Sequence, residues 1–470
     1  MSATLPMAGL TLQPPPRTRH WAIVSPWFLL LAVSIGGTTL ALIGPVAQLP
    51  SISWSGAGLQ ALCLVVFWFA YGVGKRISPR VPTRSPSGLE PAHGWITVLL
   101  LVGIVGAALQ VATKLDVLDG YDLSRIFALR NQRAMQLASA ERPGSAGWAG
   151  VGFLTYPAGV VGLCGIFRWY EKMYVGRVVL AATFGASLML MTLLIGGRSP
   201  LISCAVLLAG AAVLRVIDGL PVFPRSRALR WSAVLAVIGF LNYSTVIWMV
   251  RSDAVQLDAE QFLVHAENAW GMTVRSGFRD VVEPILGIDG VRALAVTSFY
   301  ISQSTAILER IIAAPASAPM LGMYEADVVA ATYRVMAGAD AKLLADGNQR
   351  LLEANIYGFF SGAWGGLVID FGYAGAMAAI AAWGWMAGRA WGVALRAPGA
   401  PAALMLAFWL AASIWSFATP PLGFSNAAVI FAWFIVFAVF ARPSPNRQKS
   451  AKVVATQIQI RSRQLAAQNP

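Results

Sequence analysis

The chain has 470 residues, 57% of them hydrophobic and only 12% charged, with a mean hydropathy of +0.64. This composition excludes a soluble globular protein and places the chain among polytopic membrane proteins, whose solvent is a bilayer. The formal net charge of +14 sorts to one side of the predicted membrane, so it reflects topology and excludes a nucleic-acid footprint.

Apolar runs of roughly 17 to 25 residues cross about 30 Å of hydrocarbon as helices. Such runs occupy 22–45, 54–73, 94–113, 148–167, 178–196, 200–215, 231–250, 366–388, 401–418 and 424–441. The fold class expected is therefore an all-α polytopic membrane protein of about ten transmembrane helices, forming a single membrane domain over 1–470 with no soluble domain at either end. The first run follows Arg17, Arg19 and His20, is too long for a signal-peptide core and lacks a small-x-small cleavage site, so it reads as a retained anchor. Trp21, Trp54, Trp148, Trp231, Trp364 and Trp383 mostly fall near span ends, as interfacial anchors do. Cys63, Cys164 and Cys204 all lie inside spans, which leaves no disulfide framework.

With the N-terminus in the cytoplasm, the inner segments hold 21 Lys or Arg against the three acids Glu90, Glu171 and Asp218. The outer segments hold 14 against 17, and Asp370 lies at a span. This asymmetry follows the positive-inside rule and puts both termini in the cytoplasm. The basic tail, 442–470, is expected to lie on anionic lipid. The inner connections, such as Lys75 to His93 with four prolines, are linkers.

Two outer segments are longer. The first, 114–147, carries Arg125, Arg130 and Arg133, the last two on one helical face by their i, i+3 spacing. The second, 251–361, is a large helical loop between the seventh and eighth spans. It carries eight Lys or Arg, and His265 is the only one of the three histidines away from a cytoplasmic boundary. Its residues 262–278 and 291–313 have helical spacing, and 291–312 suits a surface-lying or re-entrant helix.

Several function classes drop out at this point. There is no Walker glycine loop, no Rossmann fingerprint and no cytoplasmic domain to house either, so an ATP-driven pump is not expected. Only the carboxylates Asp116, Asp119 and Asp122 offer metal ligands, and no metal or other cofactor is expected. Transporters place ionisable residues deep in several spans, whereas here the charges gather at outer helix ends. That distribution suits a reaction at the outer surface on a substrate with an anionic head and a lipid tail.

Arg198 sits in Gly196-Gly197-Arg198-Ser199-Pro200, a tight turn between two spans, where a guanidinium can hold phosphate bidentately at headgroup depth or simply snorkel to lipid. Arg251, Arg275 and Arg279 follow the seventh span, the last two at i, i+4 beside Asp280 and Glu283. They are either a solvated face with local ion pairs or, with Arg125, Arg130 and Arg198, a diphosphate clamp drawn from three loops. His265 and Glu267 are the general-base candidates, since an imidazole titrates near neutrality. Asp370, at the start of the eighth span, needs a partner there, and an arginine is the expected one. Gly358, Gly362 and Gly366 recur every fourth residue, as a helix-packing face would require.

The segment Glu353-Ala-Asn-Ile-Tyr-Gly-Phe-Phe, followed by Val368-Ile-Asp-Phe-Gly-Tyr-Ala-Gly375, resembles the bacterial O-antigen and oligosaccharide repeat-unit polymerases of the Wzy type. Members carry Asn-x-Tyr before a span and Asp-Phe-Gly-x-x-Gly as it begins. Gly196 to Pro200 is similar to the family's small-residue-Arg-Ser turn, and Ser298 to Ser304 to its Tyr-rich outer segment. Gly358 departs from the pattern, standing where many members have Thr. The resemblance implies a membrane-embedded glycosyltransferase of the GT-C class in the bacterial inner membrane. It would join undecaprenyl-diphosphate-linked oligosaccharides at the periplasmic face without metal or nucleotide sugar. The implied partners are the lipid-linked oligosaccharide, membrane lipid, and a chain-length regulator and flippase of the same pathway. Asn355 and Tyr357 join the arginines as substrate-binding candidates, and His265, Glu267 and Asp370 are the catalytic candidates. An O-antigen ligase-like enzyme, a lipid-linked-glycan flippase and a non-enzymatic envelope scaffold are the competing readings.

Overall fold

The computed structural model describes residues 23–78, 90–113, 146–195, 199–222, 231, 257–314, 318–338, 341–397 and 399–441. The predicted seventh span beyond Trp231, nearly all of the 114–147 loop and the 442–470 tail therefore lie outside the described residues. The described chain is almost entirely helical. In order come α1 (Pro26–Ile43), β1 (Val46–Gln48), α2 (Trp54–Ile77), α3 (Glu90–Ala112), α4 (Ala146–Trp169), α5 (Val175–Ile195) and α6 (Ser199–Ile217). They are followed by α7 (Ala259–Trp270), β2 (Met272–Val274), α8 (Ser276–Ala313), α9 (Asp327–Ala337), α10 (Lys342–Glu353), α11 (Gly362–Arg396), α12 (Met405–Trp415) and α13 (Ala427–Phe440).

Eight of these helices, α1 to α6, α8 and α11, are long and apolar enough to cross a membrane, so the chain is an all-α multi-pass membrane protein. Two of the ten predicted spans are shorter than expected. A 3-10 turn at Pro401–Leu404 leads into α12, and the chain then folds back through Ser416 to Asn426 before α13. Pro420, Pro421 and Gly423 fall in that return, where a helix cannot continue. The helix expected at 291–313 is present as the part of α8 that follows the break at Gly287 (φ 67°, ψ 178°), whereas the one expected at 262–278 ends at Trp270 as α7 and gives way to β2 and the first part of α8.

Packing follows small residues. Helices α2 and α11 run side by side in the same direction, and a Cβ at Gly384, Gly388 or Gly392 would fall on Phe67 O, Tyr71 O or Ser78 Oγ. Close approach of the two backbones at this four-residue spacing is what glycine permits. Helices α3 and α4 pair antiparallel in the same manner, with Gly103 against Gly159 and Gly162 against Leu100. Helix α6 lies antiparallel to α12, with Gly210 against Ala407. The expected face of Gly358, Gly362 and Gly366 does not exist as one helix surface. Gly358 (φ 88°) is in a turn, Gly362 (φ 66°) begins α11, and only Gly366 packs within it, against Glu325 and Pro420.

Strands β1 and β2 form an antiparallel ribbon that no hydrophobic run announces, with Val46 opposite Val274 and Gln48 opposite Met272. The ribbon sits at the α1 C-terminus, which defines one end of the bundle. The second half of α8 packs on the middle of α1, where Gly37 faces Ile301 O, and its polar groups find partners towards the ribbon end. Val291, Ala295, Val296 and Phe299 pack with Val46 and Met272. Ser302 bonds Gln48, and Glu309 accepts from Ser53 N (2.8 Å) and Ser53 Oγ (2.6 Å) at the start of α2.

The opposite end is basic, and much of its charge is buried. Arg168 donates to Asp218 (Nε to Oδ2, 3.0 Å) and to Ala400 O, while Arg215 pairs with Glu171 and donates to Pro221 O and Arg168 O. Both guanidiniums are fully buried, over the Trp169 and Tyr170 rings respectively.

Candidate functional site

An aromatic cleft opens at the ribbon end, and three segments build it. Helix α7 starts on a capping box of Asp258 and Gln261, and ends at Gly271, whose φ of 68° turns the chain directly into β2. This leaves Trp270 at the cleft wall. Helix α8 supplies Phe299, Tyr300 and Gln303, with Phe299 stacked on Trp270 at 5.9 Å and 13°. The turn between α10 and α11 supplies Asn355, Tyr357, Gly358 and Phe359, and bends at Asn355 (φ 53°) and Gly358 (φ 88°). The left-handed region is open to glycine and tolerated by asparagine, which is why these residue types occur there.

The cleft encloses about 320 Å³. Tyr300 and Tyr357 are each 46% exposed, so both phenols are accessible from solvent. Gln303 Oε1 accepts from Phe360 N (3.4 Å) and its Nε2 donates to Tyr300 O, which fixes the amide between two walls. Flat apolar ring faces with amide and hydroxyl groups around them match a ligand that is itself apolar on its faces and hydroxylated at its rim.

The arginine clamp expected from sequence is only partly within view. Arg125, Arg130, Arg198 and Arg251 lie outside the described residues. Arg275 precedes α8 and donates to Leu42 O (2.5 Å) and Ala41 O at the end of α1, satisfying carbonyls a helix terminus leaves open. Arg279 is held by two carboxylates, Glu283 (2.7 Å) and Glu260 (2.9 Å). Glu283 was the expected neighbour, and Glu260 comes from α7. His265 is exposed, edge-on to Trp270 at 6.3 Å and 77°. Glu267 is exposed one turn from the cleft and accepts from Thr273 Oγ1.

Asp370 does not meet an arginine. Its fully buried carboxylate accepts three backbone N–H bonds, from Gly322 (3.0 Å) and Tyr324 (3.0 Å) to Oδ1 and from Glu325 (3.2 Å) to Oδ2. Two backbone bonds beside it, Met320 N to Ile369 O and Leu321 N to Asp370 O, bind the same turn to α11. Two residues on, Gly372 at φ 64° kinks α11. Asp-Phe-Gly thus docks a loop and bends a helix.

That docked turn presents Glu325, which sequence reading missed. Its carboxylate accepts from Ser361 Oγ (3.0 Å) and Thr419 Oγ1 (2.6 Å), so it ties the start of α11 to the 416–426 return. Burial, and then the Glu325 charge, hold the neighbouring Tyr324 phenol well above its usual range, so it keeps its proton. No periodicity marks Glu325, which lies with Asp327 just after the prolines; Gly366 and Gly423, which leave room for it, are the traces in the sequence. Among the described residues no group of three or more His, Cys, Asp or Glu is arranged to hold a metal ion.

Comparison of the chain with known protein families, characterised proteins and solved structures returns no match.

Proposed function

We propose that this protein is a membrane glycosyltransferase that joins lipid-linked oligosaccharide repeat units at the ribbon end, which is its extracytoplasmic side. The observation that carries the reading is the aromatic and amide-lined cleft at that end, with Asn355 and Tyr357 of the polymerase-like motif in its wall. The sidedness is supported by Lys75, Arg76, Arg168, Arg177, Arg215 and Arg396, which belong to the opposite end of the bundle.

In this reading the cleft holds the sugars of one substrate. The acceptor hydroxyl oxygen bonds to the anomeric carbon of the donor, the bond from that carbon to the diphosphate breaks, and the diphosphate leaves with its electrons. The hydroxyl proton goes to a base, for which His265, edge-on to the cleft residue Trp270, and Glu267 are the candidates. The leaving charge is met by arginines of the outer segments, and Arg198 of the Gly-Gly-Arg-Ser-Pro sequence is the first to test. Arg279, already paired with two glutamates, is the weakest member of the set.

The test is reconstitution of the full chain in liposomes with lipid-linked repeat units extracted from cells lacking the gene. The expected product is a ladder of longer glycans, reduced roughly tenfold or more by Tyr357→Ala and by Arg198→Ala. Transbilayer movement of the substrate without any chain growth would replace this reading with the flippase one.

A further inference from the structure

A single guanidinium ties together the separate segments of the cleft. Arg310, near the end of α8, donates from Nη1 to Asn355 O (2.6 Å) and from Nη2 to Leu49 O (2.9 Å) and Trp270 O (3.2 Å). Its Cζ lies 5.4 Å from the Phe359 ring centroid. Trp270, Asn355 and Phe359 all line the cleft, and Leu49 continues the strand β1. The preceding residue, Glu309, holds Ser53 at the start of α2, so two adjacent charges on α8 fix the α1–α2 connection and both cleft walls.

Arg168, Arg215 and Arg279 each face a carboxylate, whereas the hydrogen bonds of Arg310 among the described residues run to carbonyl oxygens from three segments distant in sequence. Arg275 and Arg396 also donate to carbonyl oxygens, but each to one segment only, Ala41–Leu42 for the first and Lys75–Ser78 for the second. A planar fork of five N–H donors can serve three acceptors spread about one plane, and a lysine ammonium, a point charge on a flexible stem, cannot reproduce that spread. The role is therefore geometric, since the carbonyls fix the guanidinium and the guanidinium fixes the gap between them.

We propose that Arg310 is the positioning residue of the cleft, setting the distance between Trp270 and the Asn355–Phe359 turn through its fork geometry. The kinetic arm of its test rests on the glycan-transfer reading, and the labelling arm does not. Because Cys63, Cys164 and Cys204 are buried, an Ala269→Cys reporter on the cleft wall can be read with an impermeant maleimide in the full-length protein. Arg310→Lys and Arg310→Gln are each expected to raise its labelling rate about fivefold, and to raise KM for the lipid-linked oligosaccharide about tenfold with kcat within about twofold.

An Arg310→Lys protein with the labelling rate and KM of the parent would overturn the proposal, because charge alone would then suffice. Failure of both variants to accumulate in the membrane would also overturn it, since Arg310 would then hold the whole fold and not the cleft. If the parent shows no glycan transfer, labelling still decides the matter. If the parent transfers glycan and neither variant alters labelling, the positioning role falls and the functional reading stands.

Discussion

Asp370 separates a chemical from a mechanical role most cleanly. Its carboxylate is fully buried, and three backbone N–H groups of the 322–325 turn point at it. Removing it with Asp370→Ala strands three buried donors, each worth about 1–3 kcal/mol, so a loss of roughly 3–9 kcal/mol is expected. Asp370→Asn is the more informative change. The amide oxygen can keep the bonds from Gly322 and Tyr324, but the amide nitrogen then faces the Glu325 N–H, donor against donor, at a cost of about 1–3 kcal/mol. Because that turn also presents Glu325 to Ser361 and Thr419, the loss should spread to the 416–426 return. Denaturant titration of the purified full-length protein in detergent measures the stability, and a glycan-extension assay well below the unfolding midpoint measures what activity survives. An Asp370→Asn protein within ~0.5 kcal/mol of the parent yet devoid of activity would refute the mechanical reading, because surface-like tolerance with lost chemistry is the mark of a reacting carboxyl.

Three other outcomes are expected. Gly388→Leu should separate α2 from α11, since even a Cβ there would fall on the Tyr71 carbonyl; a loss of about 1–3 kcal/mol or more is expected in the same denaturant titration, against little change for Gly72→Ala, which faces open space. Arg168→Leu should destabilise by about 3–5 kcal/mol because it leaves Asp218 buried without its guanidinium, and the double change Arg168→Leu with Asp218→Leu should recover part of that loss in a double-mutant cycle. Cys63, Cys164 and Cys204 are buried and free, so maleimide in native detergent solution should leave them unmodified and react only after unfolding, read by intact mass; rapid labelling of any of them would contradict the packing around it.

The membrane helices were legible because a bilayer leaves few options. Length and hydropathy suffice to find α1 to α6 and the core of α11. The failures come where hydropathy is not the deciding quantity. Helix α8 has the composition of a span, but Glu309, Arg310 and Gln303 give its polar groups partners at the ribbon end, and polar satisfaction decides where such a helix lies. The basic residues at the opposite end were counted as a topology signal, yet Arg168 and Arg215 are also buried braces, and a count of charges cannot distinguish the two. The four-residue glycine spacing recurs at 384, 388 and 392, where it packs α11 on α2, and at 358, 362 and 366, where it does not form a helix face; only the backbone angles tell the two apart.

The same distinction bears on the motif between Glu353 and Gly375. Asn355 and Gly358 occupy left-handed backbone positions, Asp370 receives a turn of backbone donors, and Gly372 kinks a helix at φ 64°. Four of its most conspicuous residues therefore answer to backbone geometry before any substrate is considered. Tyr357 does not, because nothing about the turn requires a phenol that is 46% exposed beside Trp270 and Tyr300. A likeness built on asparagine, aspartate and glycine reports how the chain bends into the membrane. What the motif offers a ligand are the side chains those bends present, Tyr357 and Phe359, which line the cleft with the Arg310 fork of α8 behind them.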